Sequence, residues 1–314
     1  MVVKKTACIA LASFIFALSH QASATEKLSL MLDWFPNVDH LPIYVARDNG
    51  FFREAGLEVK ILSPSETSDA LKLAIAGTVD LAVGYEPQTV IAAAEGLSPK
   101  VIGRLVGHPL CTLLYMDGSG IAVPKDLEGK TIGYTVPGLM DTLLAAFARE
   151  NGIQKYEPVN VGFTIVPALA SGKVDAVMGP FKTYEVVDMQ HKGLKTGYFE
   201  LEKHGIPDYD ELIFVTSATT ATAKSTAIQA FADAVQRGIN WVREDPQAAL
   251  EIYFKALPEA DRVVETDAFQ ATLPYFVKTQ TSDPKRWQTF IDFAKATDLI
   301  DSHTAVTAQD LLSR

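Results

Sequence analysis

Cysteine is nearly absent: the 314 residues contain two, Cys8 and Cys111. Cys8 lies in an expected leader, so Cys111 is left without an intrachain partner and the core alone must hold the fold. Basic runs are also lacking. Lys and Arg number 28 against 38 Asp and Glu, a formal net charge of −10. An acidic chain without a basic stripe argues against nucleic acid and anionic lipid as partners. The six histidines are His20, His40, His108, His191, His204 and His303, and no two fall three or four residues apart. No metal site and no cofactor are therefore expected. No G-x-G-x-x-G opens a helix after a strand, and no Walker loop exists. Ser119 sits in Asp-Gly-Ser-Gly, not in a strand-to-helix nucleophile elbow. No catalytic residues are expected, and the chain reads as a binder, not an enzyme.

What is present begins with a leader pattern. Lys4-Lys5 precede an apolar run from Ala7 to Leu18, and Ala22-Ser23-Ala24 forms an A-x-A cleavage signal. Residues 1–24 read as a signal peptide cleaved near Ala24, which implies export to a periplasm. The run is too short to span a bilayer, which takes ~20 apolar residues, and no later stretch is long enough. Removing Lys4 and Lys5 shifts the charge from −10 to near −12.

The remaining chain is written around a repeated unit. Gly77-Thr78-Val79-Asp80 and Gly172-Lys173-Val174-Asp175 each lead into an apolar run of strand length that ends in a glycine. The turn itself is what any helix-to-strand connection needs. After each copy come an aromatic and an acid: Tyr85-Glu86 in the first, Tyr184-Glu185 in the second. Before the first copy the pattern alternates strand and helix from Leu28, with Ser68 read as the cap of a helix from Asp69. Leu110 to Met116 reads as a strand leaving the first lobe, and Leu212 to Thr216 as the return. Beyond Lys224, apolar residues recur three and four apart at Ile228, Phe231, Val235, Ile239 and Val242, the mark of a helix with one buried face. The expectation is an α/β protein of two lobes with a central cleft and hinge. Lobe 1 is discontinuous, 25–112 and 216–314, and lobe 2 is 113–215.

In open α/β sheets, ligands sit beyond the carboxyl ends of strands. Trp34, Tyr85, Phe181 and Tyr184 all follow expected strands. Aromatic faces hold flat rings, and Glu185 can pair with a ring amine and a protonated ring nitrogen. Asn37 offers a donor and an acceptor. Three expected helix starts carry their own acids (Glu66 with Asp69, Glu86, and Asp141), which would repel an anion. A flat, neutral or weakly basic amino-heterocycle suits this set.

Leu32-Asp33-Trp34-Phe35-Pro36-Asn37, followed by His40, resembles the opening of the family that contains thiamine-pyrimidine precursor-binding proteins of ABC importers and the thiamine-pyrimidine synthases. Gly50-Phe51-Phe52, Asp126-Leu127 with Gly129-Lys130, and Gly172 to Ala176 continue the likeness, which spans roughly 28–185. The resemblance implies a type II periplasmic-binding-protein fold. On the binding branch it implies a small heterocyclic ligand, such as a formylaminopyrimidine or hydroxymethylpyrimidine, and ABC permease membrane subunits as partners of a monomer. It implies ligand contacts at Trp34, Asn37, Tyr184 and Glu185, to which His40 and Tyr85 are added as candidates. The synthase branch carries a Lys where this chain has Gly84, a His where it has Gln88, and a cysteine-rich run where it has Ile213 to Ser217. Relatives with the same opening imply riboflavin as an alternative ligand, and sulfonate binders share the fold at a greater distance.

Overall fold

The computed structural model describes residues 25–313. The expected leader, 1–24, lies outside the described residues. Ten strands form two five-stranded sheets. The first sheet takes β1 (Glu26–Met31), β2 (Leu57–Leu62), β3 (Leu81–Gly84), β4 (Pro99–Val106) and β10 (Leu212–Ser217), in the order β2-β1-β3-β10-β4. The second takes β5 (Cys111–Met116), β6 (Thr131–Tyr134), β7 (Glu157–Asn160), β8 (Ala176–Phe181) and β9 (Thr196–Glu200), in the order β7-β6-β8-β5-β9. In the first sheet β10 runs antiparallel to β3 and β4, and in the second β5 runs antiparallel to β8 and β9. The two sheets thus share one topology, and each inserts next to its third strand the strand that crosses over from the other. The expected divisions at 112/113 and 215/216 fall inside β5 and β10. The changes of sheet lie in the segments before those strands, 107–110 and 204–211.

The repeated turn has a structural reason in both lobes. Gly77 and Gly172 hold φ of 72° and 70°, the left-handed conformation that closes a helix and that glycine adopts without cost. Asp80 then accepts from the Ser29 backbone N–H at 2.8 Å, which pins the start of β3 to β1. Asp175 accepts from the Thr131 N–H at 2.9 Å, which pins β8 to β6 in the same way.

The crossings are bolted together by buried acids. Glu211 accepts from the N–H groups of Leu110 and Cys111 at 2.6 and 2.8 Å, so one carboxyl grips both crossing segments. Burial pushes it up to about 7. Glu86 accepts from the Asp210 N–H at 2.7 Å, and Asp210 itself receives Arg286 at 2.8 Å and the Trp287 indole at 3.0 Å.

One local expectation is corrected by the structure, and two elements were missed. Ser68 occupies the cap position, but its hydroxyl accepts from Lys72 and caps nothing; Asp69 instead takes the Glu66 N–H. The edge strand β9 and the helix Glu185–His191 were not foreseen. β9 holds Gly197 and is partly exposed, so its apolar signal is thin.

The helix Ser225–Glu244 lays its buried face (Ile228, Phe231, Val235, Ile239 and Val242) against the first lobe. Its Gly238 sits against the helix Leu41–Asp48, where an added Cβ would lie 2.3 Å from the Pro42 carbonyl oxygen. Alanine inside a helix ordinarily gains about 1 kcal/mol over glycine. Here Gly238→Ala is expected to destabilise by roughly 1–3 kcal/mol through overpacking. A urea midpoint at or above that of the wild type would disprove the close approach.

Candidate functional site

The loop after β1 runs from Leu32 to Asn37, and Asn37 caps the single 3-10 turn Val38–His40 that follows. The Asn37 side chain accepts from the Asp39 N–H at 2.9 Å, and the Asn37 N–H donates to His40 Nδ1 at 3.4 Å. Nδ1 is therefore the acceptor, so Nε2 carries the hydrogen and donates to Asp33 at 2.8 Å. The second Asp33 oxygen takes the Tyr85 hydroxyl at 2.7 Å. Asp33 thus locks the loop to the end of β3, and His40 orients the loop instead of capping the next helix.

The second lobe supplies the facing wall from the end of β8. Glu185 folds back to accept from the Phe181 N–H at 2.7 Å. Tyr184 reaches across the cleft and donates its hydroxyl to Glu265 at 2.8 Å. Glu265, on the helix Arg262–Thr272, also accepts from the Val38 N–H at 3.2 Å and from Tyr253 at 3.1 Å. Thr67 of the first lobe donates to the Thr135 carbonyl of the second at 2.8 Å. Trp34 crosses too. It packs against Phe163 with ring centroids 4.5 Å apart and is buried with Leu114, Val161 and Ile165 of the second lobe.

One cavity collects these groups. Trp34, Asn37, His40, Tyr85, Tyr184 and Glu185 all line it, together with Asp33, Asp39, Thr135, Met140, Ile165, Gly179, Phe181 and Leu212. Its volume is about 20 Å³, room for little more than one water. A ring-sized ligand therefore requires the lobes to stand further apart on entry, a hinge motion about the two crossings.

The lining carries three carboxyls, Asp33, Asp39 and Glu185, and no Lys or Arg. Burial without a cation favours the neutral form of an acid. It pushes Glu185 up to about 8, against the pull of the Phe181 N–H. It pushes Asp39 to about 6 despite the Thr272 hydroxyl, and Glu265 to about 7 despite its two tyrosines. The acids expected to guard helix starts are elsewhere. Asp69 and Asp141 accept local backbone N–H groups, Glu86 holds the crossing, and none of them lines the cavity. The acidic cleft is thus built from other residues. Asp39 and Glu265 were missed. An aspartate in the first turn of a helix and a glutamate on a C-terminal helix carry no local signal of a role. Cys111 is buried, and burial pushes its thiol well up, as befits a small core residue.

A family model described as NMT1/THI5 like matches residues 37–249. The chain is 36% identical to a candidate thiamine biosynthesis protein of Haemophilus influenzae, covering 90% of this chain and 91% of that one. It is 29% identical to the formylaminopyrimidine-binding protein of Halalkalibacterium halodurans, over 92% and 90% of the two chains. It is 28% identical to a 4-amino-5-hydroxymethyl-2-methylpyrimidine phosphate synthase of Legionella pneumophila, over 90% of each. The fold is similar to that of the alkanesulfonate-binding protein SsuA of Xanthomonas axonopodis, with a TM-score of 0.73 at 16% identity over 91% and 97% of the chains. This is a periplasmic-binding-protein architecture.

The contact across the cleft can be tested directly. Tyr184→Phe keeps the ring and deletes the bond to Glu265, so small-angle scattering of the free protein is expected to show a larger radius of gyration. An unchanged radius would mean that the bond does not hold the lobes. The buried acids make a second outcome, in pH. Asp39, Glu265 and Glu185 titrate above their unfolded values, so their contribution to stability is full below about pH 4. It drains as pH rises through about 6, 7 and 8. Unfolding free energy measured in urea is expected to fall between pH 5 and 8, and a rise across that range would refute the assignment.

Proposed function

The chain belongs to the NMT1/THI5-like family, and from that premise we propose that it is the periplasmic solute-binding component of an ABC importer whose ligand is a pyrimidine precursor of thiamine. The ligand class is that of a formylaminopyrimidine or hydroxymethylpyrimidine. Trp34 and Tyr184 stack on the ring, Glu185 pairs with its aminopyrimidine edge, and Asn37, whose oxygen is already engaged as a cap, donates to a substituent. Tyr85 and His40 act through Asp33, holding the loop in place.

The observation that carries this reading is Glu185 in a cavity lined by no Lys or Arg. A carboxyl that keeps its proton to about pH 8 presents a donor and an acceptor side by side. An exocyclic amine next to a ring nitrogen presents the complementary donor and acceptor. The same lining argues against a sulfonate. An anion would face Asp33, Asp39 and Glu185 with no basic group to receive it. Relatives include synthases, but the resemblance implies a Lys and a His on that branch where this chain has Gly84 and Gln88, which favours binding without turnover. A leader over 1–24 fits export.

The test is calorimetry with a 4-aminopyrimidine, alongside mass spectrometry of whatever ligand survives native purification. Glu185→Ala is expected to weaken binding tenfold or more, about 1.4 kcal/mol. A loss of less than twofold would sink the role of Glu185. Because the complex retains the shared proton, affinity is expected to be nearly flat around neutrality. Above about pH 8 it should fall roughly tenfold per unit.

A further inference from the structure

A second cavity lies beside the first, also between the lobes, and the two share a wall. Trp34, Ile165, Tyr184 and Glu185 line both. The central cavity has room for little more than one water, whereas this outer one measures about 190 Å³. An apolar cavity of about 150 Å³ is enough to hold a benzene ring. Three aromatic rings from the two lobes meet at it. Trp34 and Phe35 come from the loop after β1, and Phe163 from the segment after β7. Phe35 stands 5.4 Å from Trp34 and 6.0 Å from Phe163, centroid to centroid. It is 42% exposed, and no other phenylalanine among the described residues is exposed. A lone apolar side chain at the surface is ordinary. This one is not alone, because it faces a cavity with two other rings, beside Val166 and Pro167. Lys192 is the one basic residue in the lining, and Asp188 holds its ammonium at 2.6 Å. With Glu185 and Asp188 alongside, an anionic group would find no receiver there.

We infer that the outer cavity is a binding site for a planar, uncharged aromatic ring, and that the ligands of this protein include two-ring compounds. The first ring sits between the lobes as proposed above, and a short linker passes the shared wall at Tyr184 and Glu185. The second ring lies on the faces of Phe35 and Phe163. Aromatic rings pack at tilted or offset angles with centroids roughly 4.5–7 Å apart. The three side chains already stand in that range, so an arriving ring meets faces that need no ordering. Phe35 belongs to the first lobe and Phe163 to the second. A ring that touches both makes its contacts only when the lobes are together, and so favours the closed form. A two-ring ligand therefore holds the cleft shut more firmly than a one-ring ligand does.

This rests on the aminopyrimidine reading above, and one experiment separates the two. Calorimetry compares two 4-aminopyrimidines that differ only at C5, one with methyl and one with benzyl, on wild type, Phe35→Leu and Phe163→Leu. Each leucine keeps an apolar side chain and removes a ring face. An aromatic pair is worth roughly two- to tenfold in affinity beyond its area. Wild type is expected to bind the benzyl compound at least fivefold tighter than the methyl compound, one molecule per protein, and each variant to lower that ratio at least twofold. Because the ratio compares two ligands on one protein, a general loss of packing cancels. A ratio below twofold in wild type, or one that stays unchanged in both variants, overturns this inference alone. Two molecules of the methyl compound per protein would put a separate ligand in the outer cavity and overturn the two-ring ligand. Binding of neither compound by wild type overturns the aminopyrimidine reading and this inference with it.

Discussion

Three donors from three separate segments meet on the carboxyl of Glu265. The Val38 N–H comes from the loop after β1, the Tyr184 hydroxyl from the end of β8 in the other lobe, and the Tyr253 hydroxyl from the helix Pro246–Ala256. Among the described residues, no other side chain ties the two walls of the cavity to the C-terminal helices at once. The arrangement fixes more than a distance. Val38 adjoins Asn37, and Tyr184 adjoins Glu185, so the two polar residues proposed for the ligand are each one peptide from a group that Glu265 holds. The closed cleft is therefore specified from outside the cavity, by a helix that never enters it.

That arrangement explains how so many acids tolerate burial. Asp33 is satisfied by His40 and Tyr85 and Asp210 by Arg286 and Trp287, while Glu211 takes two backbone N–H groups on one oxygen. Each of these acids joins segments far apart in sequence. Glu185 and Asp39 differ, since each keeps one side turned to a cavity whose lining holds no Lys or Arg. Their raised protonation is the physical consequence. Glu185, pushed up to about 8, keeps its proton at neutral pH, and such an acid suits a ligand that is itself near neutral, because recognition then proceeds by hydrogen bonds without stripping water from a full charge.

Much of this was legible in the sequence, for identifiable reasons. The helix 225–244 announced itself because its buried residues recur at the helical period from Ile228 to Val242, about four turns. The loop from Trp34 to His40 and the pair Tyr184-Glu185 stood out because aromatics and acids come directly after apolar strands, and the structure gathers all six proposed residues in one cavity. Pairing at long range could not be read. Glu265 lies 81 residues from Tyr184 and 227 from Val38, and nothing local distinguishes it from a solvated helix acid. The two crossing strands were seen as strands, but the sheet each one joins depends on topology, so the divisions were placed inside them. Ser68 has the right residue type for a cap, yet a nearby lysine competes for its hydroxyl.

The repeated turn finally separates scaffold from specificity. Asp80 and Asp175 do the same work in each lobe, fastening the third strand to the first. The strand ends beyond them diverge. After the first copy, Gly84 is buried where an added Cβ would meet Val215 at 3.2 Å, so β3 ends in a tightly packed position. A side chain there would need the Val215 methyl to give by a few tenths of an ångström. After the second copy, Gly179 holds φ of 125° with Thr135 Oγ1 only 2.0 Å from where a Cβ would stand. Only glycine allows β6 and β8 to approach this closely at the cavity, and that approach sets the floor on which Glu185 folds back. The same duplicated unit thus ends in a tightly packed strand end on one side and in the edge proposed for recognition on the other.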